Sequence, residues 1–261
     1  MSITGMNAGD ILLIDNETKC QKINKGGQSI IRRLTPVNTT HVALSLGDGV
    51  FIHADYPGGV DLCFFPELID KSTGDWKVAR YKQINDELQG EIKRAGAHHL
   101  GKRYSLGFSF KKNEESLFCS QFIDVVYKSV GIDIFNHPGR QFIPLKGETL
   151  PVDFENAIKD SVEWGDVTEI YSDAFDKDEY IHLESNYKMQ KAMIVCTRRI
   201  EEDKYMAIEL ANVIRQSNSL LPDSPLGDYV DSQCSEMIQD MESDENKLPY
   251  EFWRPILKKN I

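Results

Sequence analysis

The run His41-Val42-Ala43-Leu44-Ser45-Leu46, then Gly47-Asp48-Gly49, then Val50-Phe51-Ile52-His53-Ala54, constrains the fold more than any other stretch. Two β-prone runs joined by so short a glycine-rich link predict an antiparallel hairpin. A hairpin needs further strands or a helix to be stable, so its neighbours matter. Ile11 to Ile14, opened by Gly9-Asp10, is one candidate strand. Val60 to Phe65, after Pro57-Gly58-Gly59, and Trp76 to Tyr81 are two more. If Leu46 pairs with Val50 across a three-residue loop, His41 faces Asp55 and His53 lies diagonally beside it on the same face. Diagonal neighbours are ~7–8 Å apart, within reach of long side chains. A two-residue loop is expected to break this alignment, because a one-residue slip sends one set to the other face.

Two helices are expected beside these strands. Residues 85–100 space Leu88, Ile92, Ala95 and His99 for one face, with Gly101 as a stop. Cys119, in Phe118-Cys119-Ser120-Gln121-Phe122, precedes an amphipathic run with Phe122, Val125, Val126 and Val130 at helical spacing. The polar Lys111 to Ser116 before it reads as a loop. Cys119 therefore falls in the first turn of a buried helix, where unpaired N–H groups and the macrodipole favour an anion. A thiol there is expected to have a depressed pKa and to be a candidate nucleophile. The competing reading is a core cysteine between two phenylalanines. Gly131 ends this helix, and Ile132 to Ile134 and Phe142 to Leu145 read as short extended pieces.

The charge is uneven along the 261 residues. Residues 1–150 hold 18 Lys+Arg and 17 Asp+Glu, whereas residues 151–261 hold 12 and 24. Neither part has the basic footprint of a nucleic-acid binder. After residue 150, acidic helix-prone segments dominate, at about 153–161, 185–217 and 227–242, followed by a tail from Lys247. The expected organisation is a domain over 1–150 and an acidic, mostly helical extension over 151–261. Five cysteines without CxxC spacing argue against a disulfide framework or a structural zinc. No apolar run approaches the ~20 residues of a membrane span, and no signal-peptide pattern opens the chain. Synthesis in the cytoplasm is the expectation.

A strand opening with His, a polar neighbour on the next strand and a helix opening with Cys are the parts of a thiol hydrolase. The imidazole takes the thiol proton and returns it to the leaving group, and the third group holds the imidazole in the useful tautomer. Five pieces in order resemble the circularly permuted papain-fold hydrolases, the YiiX-type members of the NlpC superfamily and, more distantly, the lecithin:retinol acyltransferase group. They are Gly9 to Leu12, Thr40 to Leu44, Phe51 to Ala54 with Gly59-Val60, Ala97 to Tyr104, and Phe118 to Phe122. The resemblance implies an α+β fold, a small antiparallel sheet packed on the Cys119 helix. It implies Cys119 as nucleophile, His41 as general base and His53 as orienting group, with Asp55 as substitute for that third role. Tyr104 is similar to a pocket tyrosine of the family. YiiX-type members often have Glu where His53 stands, and Gln121 replaces the Glu of their Cys-Ser-Glu.

Cys234-Ser235-Glu236 matches that motif more closely in letters, but no Gly-x-x-Tyr precedes it, and Cys234 reads as core. Cys20, Cys63 and Cys196 have no partner pattern. His98-His99 read as capping or surface residues, since adjacent helical residues point to different faces. By the resemblance, the reaction is acyl transfer to water through a Cys119 thioester, with the Cys119 backbone N–H holding the oxyanion. The expected substrate is a peptide amide such as a bacterial cell-wall stem peptide. No metal or organic cofactor is implied. A cell-wall target without a signal peptide suggests a toxin delivered by a dedicated secretion machine, its acidic region recognised by an immunity or carrier protein. The alternatives are a lipid acyltransferase or phospholipase, and a non-catalytic binding module on the same fold.

Overall fold

The computed structural model describes residues 5–15, 38–70, 72, 75–105, 116–135, 150–159, 161–172, 176–219 and 225–245. Its chain divides into two compact units, the first running to Gln190 and the second beginning at Lys191.

The first unit is built on a six-stranded antiparallel sheet. Its strands are β1 (Ala8–Ile14), β2 (His41–Gly47), β3 (Val50–Asp55), β4 (Gly59–Phe64), β5 (Trp76–Tyr81) and β8 (Trp164–Asp166), in the order β4-β3-β2-β1-β5-β8. β1 and β2 lie in the middle, and every residue of both is buried. Burial on both faces is why these two runs are nearly continuous in apolar residues rather than alternating. β4 lies at the edge and keeps the alternation, with Asp61 exposed between buried Val60 and Leu62. Met6, Leu12, Ala43, Phe51, Phe64, Phe65, Val78 and Tyr171 form one core cluster, to which the short helix α1 (Phe65–Asp70) contributes Leu68.

The expected hairpin is present with a different tip. Leu44 pairs with Ile52 and Ser45 with Phe51, as a three-residue loop would require. Gly47 then pairs with Val50, leaving a two-residue turn of Asp48 and Gly49. The register shifts between Ser45 and Gly47, so a bulge at Leu46 takes up the one-residue slip and the histidines keep their alignment. Gly47, Asp48 and Gly49 all have positive φ, of 90°, 48° and 78°. Glycine at two of the three positions makes this conformation accessible.

Two helices cover the middle of the sheet. In α2 (Asp86–His98), the Asn85 side chain accepts from the Leu88 N–H at 2.8 Å and caps the first turn. Ile92, Ala95 and Ala97 are its buried side chains. α3 (Cys119–Ser129) buries Cys119, Phe122, Ile123, Val126 and Tyr127, one face of the helix. The Tyr127 hydroxyl donates to the carbonyl of Gly9, which ties α3 to β1. At Gly9 φ is +94°, and a Cβ would stand 2.9 Å from both Ile84 and Ile92. Gly131, at φ 83°, follows the end of α3. Ile132 to Ile134 do not form the expected extended piece; Ile132 N–H instead donates to the Tyr127 carbonyl in the turn that closes the helix. Phe142 to Leu145, Cys20 and the expected 111–115 loop lie outside the described residues.

The expected boundary at residue 150 falls inside the first unit. α4 (Pro151–Lys159), β8 and α5 (Thr168–Ser172) complete the sheet and its cover. Trp164 packs on Tyr81 and Tyr127, at ring distances of 5.5 and 5.6 Å. Tyr171 donates at 2.5 Å to Asp10, a fully buried carboxylate that also accepts two bonds of 2.7 Å from Arg80. α6 (Lys177–Ser219) begins on this unit, where Leu183 meets Gly49 and the Asn186 side chain donates to the Asp48 carbonyl at 3.1 Å. In the second unit α6 is joined to α7 (Pro225–Glu245) by Arg215, which donates to Asp231 at 3.1 Å and to Ser235 at 2.6 Å. Ala211 and Cys234 are buried there, so Cys234 sits in a helical core as its sequence context suggests.

Candidate active site

β2 opens on His41. Its position is fixed from the preceding residue, since the Thr40 N–H donates to the Ile14 carbonyl at 2.8 Å and Ile14 pairs with His41 itself. The register of β2 with β3 brings His53 diagonally beside it. His41 Nε2 and His53 Nδ1 are 2.9 Å apart, with the rings at 82° to one another. This is a hydrogen bond between imidazoles, so one ring nitrogen donates and the other accepts. With Nε2 engaged, Nδ1 is the nitrogen of His41 left for proton transfer. His41 is buried, and burial first and the His53 neighbour second hold its pKa well below the ordinary 6.5. The ring is therefore neutral at neutral pH, the state a general base requires.

Cys119 occupies the first position of α3, after Phe118 in extended conformation at the cap. Phe118 supplies no side-chain cap, so the first turn keeps backbone N–H groups for other acceptors. The backbone amides of Val42, Ser120 and Cys119 lie close enough to the thiol to favour its ionised form. Val42 directly follows His41 in β2, so the strand that carries the imidazole also touches the sulfur. Burial nevertheless outweighs these donors. It pushes the Cys119 thiol from 9.0 to about 11, with the Asp55 carboxylate adding to the rise. The expectation of a depressed pKa is thus corrected: the helix start is as expected, but at 5% exposure desolvation of the thiolate is the larger effect. Burial thus favours the neutral form of both the thiol and the imidazole.

The hydrogen bond at His41 Nε2 is made by His53, and Asp55 is placed elsewhere. It lies exposed at the end of β3, and its Oδ1 accepts from the Tyr56 N–H at 2.9 Å. Its influence on the sulfur is through charge. Tyr104 is placed by a feature without a periodic signal, the two-residue strands β6 (Arg103–Tyr104) and β7 (Ser116–Leu117), which pair in parallel. Tyr104 pairs with Leu117, two residues ahead of Cys119, and its ring stands edge-on to Tyr56 at 6.2 Å. Gly59 makes this placement possible. With φ +84°, it lies so close to the Lys102 carbonyl that a Cβ would overlap it. Beside it, Val60 N–H donates to the Lys102 carbonyl and Gly101 N–H to the Val60 carbonyl, both at 2.8 Å. The Gly59-Val60 and Gly101-to-Tyr104 pieces, far apart in sequence, are thus one clamp.

Of the remaining candidates, His98 and His99 end α2. His99 is its C-cap residue, as one of the expected roles has it, but it is buried, with its ring edge-on to Phe122 of α3. Burial lowers its pKa to about 3. Cys63 is half-buried on β4 and Cys196 exposed on α6. Among the described residues, no group of three or more His, Cys, Asp or Glu side chains is arranged to hold a metal ion. No described helix is long and apolar enough to cross a membrane.

A solved structure, that of the metalloprotein yiiX from Escherichia coli O157:H7, is similar over 62% of this chain and 96% of that one, at 16% identity and a TM-score of 0.44. A search of curated proteins returned no match. The family described as permuted papain-like amidase enzyme, YaeF/YiiX, C92 family, matches residues 6–138, about half of the chain and the span that holds His41, His53 and Cys119. The chain belongs to this family of permuted papain-like cysteine amidases.

Proposed function

We propose that the protein hydrolyses an amide bond of a peptide through a Cys119 thioester, with His41 as general acid and base and His53 as the group that orients it. The observation that carries this reading is the 2.9 Å bond between His41 Nε2 and His53 Nδ1, on the strand whose Val42 amide favours the ionised Cys119 thiol. In the first step the Cys119 proton passes to His41 as sulfur attacks the carbonyl carbon. The C–N bond then breaks, and the amine leaves with the proton from His41. Water, deprotonated by His41, attacks the thioester and releases the acid and the thiol. Burial that favours the neutral thiol and the neutral imidazole fits an ion pair that forms as the substrate is attacked. The backbone N–H groups at the start of α3 are suited to hold the developing oxyanion.

The substrate class is a peptide amide, and the bacterial cell-wall stem peptide is the first target of choice. In this reading the protein is an antibacterial effector delivered by a dedicated secretion machine and held in check by an immunity or carrier protein at its acidic region. Incubation of purified cell-wall fragments with parent and Cys119→Ala, followed by mass spectrometry of the products, tests the chemistry. New amine and carboxylate ends with the parent alone support it. Fatty-acid release from phospholipid vesicles with no peptide cleavage would overturn it. Directing the chain to the bacterial periplasm tests the effector role: lysis with the parent and survival with Cys119→Ala are expected, and an intact wall with both removes that role.

A further inference from the structure

The second compact unit has an exposed face that the chemistry at Cys119 does not use. On α6, Met206, Leu210 and Val213 recur at i, i+4 and i+7, and Val195 lies about three turns earlier on the same line, separated from them by Arg199 and Glu202. These four side chains are 57–67% exposed, although each is a residue that helices ordinarily turn inward. Buried Ala211 and the Arg215 that bonds Asp231 and Ser235 lie on the other side of the helix, so the stripe points away from α7.

The charges around the stripe select what can cover it. Asp203 and Glu209 edge the Met206-to-Val213 part on either side and Glu202 precedes Met206 on its line, while Arg199 follows Val195 on that line and Lys191 lies beside its N-terminal end. On the opposite side of α6, α7 has seven acidic residues and no Lys or Arg in its sequence, which adds to the negative charge of the unit without edging the stripe. A second copy of the chain would set acid against acid, and an anionic lipid surface would meet the same repulsion. A helix with apolar residues at helical spacing and Lys or Arg on its flanks would complement both the stripe and its edges. Met206, with its flexible and polarizable thioether, can adapt to such a helix.

We infer that the Met206, Leu210 and Val213 face of α6 docks a basic amphipathic helix of a partner protein. This stands apart from the reading of Cys119 and survives if that reading fails.

The test titrates the full chain with an 18-residue peptide of leucine and lysine patterned as an amphipathic helix. A scrambled peptide of the same composition serves as control, with calorimetry at low and high salt. The patterned peptide is expected to bind at least tenfold tighter than the scrambled one, and high salt to weaken it. Leu210→Glu, at an exposed position, is expected to reduce the affinity at least tenfold with the helical circular dichroism unchanged. Met206→Gln replaces it if that variant does not fold. Equal affinity for the two peptides, or unchanged affinity in the variants, would overturn the inference. So would a dimer of the chain alone that Leu210→Glu dissociates, which would make a second copy the occupant.

Discussion

His41 and His53 share one hydrogen bond of 2.9 Å across neighbouring strands, from Nε2 of the first to Nδ1 of the second. If His41 is to accept a proton on Nδ1, its Nε2 must carry hydrogen and His53 Nδ1 must accept. In that state His53 holds His41 in the tautomer that a general base needs. Because the contact depends on β2–β3 pairing, backbone register sets the chemistry of the ring.

The His53 acceptor can be kept or removed. His41→Ala should lower kcat by about 10²–10⁴-fold, the usual weight of a general base. His53→Ala should lower it less, and His53→Asn, which retains an acceptor, less again. Steady-state kinetics with equal activity in parent and His53→Ala would remove His53 from the mechanism.

Neutral thiol and neutral imidazole make a pH prediction. Iodoacetamide should alkylate Cys119 slowly at neutral pH and faster as pH rises toward its pKa of about 11. A rate that levels off below pH 8 would instead show an ion pair already formed at rest.

The same shift enters stability. The folded state favours the neutral thiol, so this stabilisation is fully present below about 9 and is lost as pH rises through about 11. A rise of about two units corresponds to roughly 3 kcal/mol. Between pH 9 and 11 the parent should lose about 2 kcal/mol of this relative to Cys119→Ala, read as the difference between their urea unfolding curves. Buried Tyr127 and Tyr171, also raised, titrate in both proteins and drop out of the comparison. His41 acts in the opposite direction. Its lowered pKa gives stability that is present above 6.5 and is lost as pH falls toward the folded value.

Asp10 is fully buried and rests on Arg80 and Tyr171. Arg80→Met leaves its charge without the guanidinium and should cost about 3–5 kcal/mol in chemical denaturation. A loss below about 1 kcal/mol would mean that Tyr171 and the Asn7 N–H suffice.

Gly59→Ala meets both a positive φ and the Lys102 carbonyl. The expected cost is about 1–3 kcal/mol, with loss of activity as the segment bearing Tyr104 moves. Parent-like stability and activity together would show that the clamp can yield.

Much of the first unit was legible because its signals are local. Short apolar runs marked β1 to β5, helical spacing marked α2 and α3, and glycine-rich links marked the turns. The histidine alignment also followed, since pairing of Leu44 with Ile52 dictates where His41 and His53 fall. What escaped depends on tertiary contacts. Trp164 to Asp166 is too short to show a period, yet it pairs with β5 and carries the unit beyond residue 150. The paired strands of Tyr104 and Leu117 are two residues each and exist because Gly59 lets the chain approach. The thiol pKa was misjudged for the same reason. Position on a helix can be read from sequence, but the depth of burial that outweighs it cannot.

The bulge at Leu46 separates two duties of the hairpin. Asp48 and Gly49 hold the start of α6 through Asn186 and Leu183, while the distal ends of the same strands carry the histidines. A turn one residue shorter than the aligned register calls for would ordinarily send this misfit down both strands. Here it is discharged at Leu46, before it reaches Ser45 and Phe51. The tip can therefore be remodelled to suit what packs on it while the imidazoles stay in phase. The fold contains a mechanical clutch between its scaffold and its chemistry.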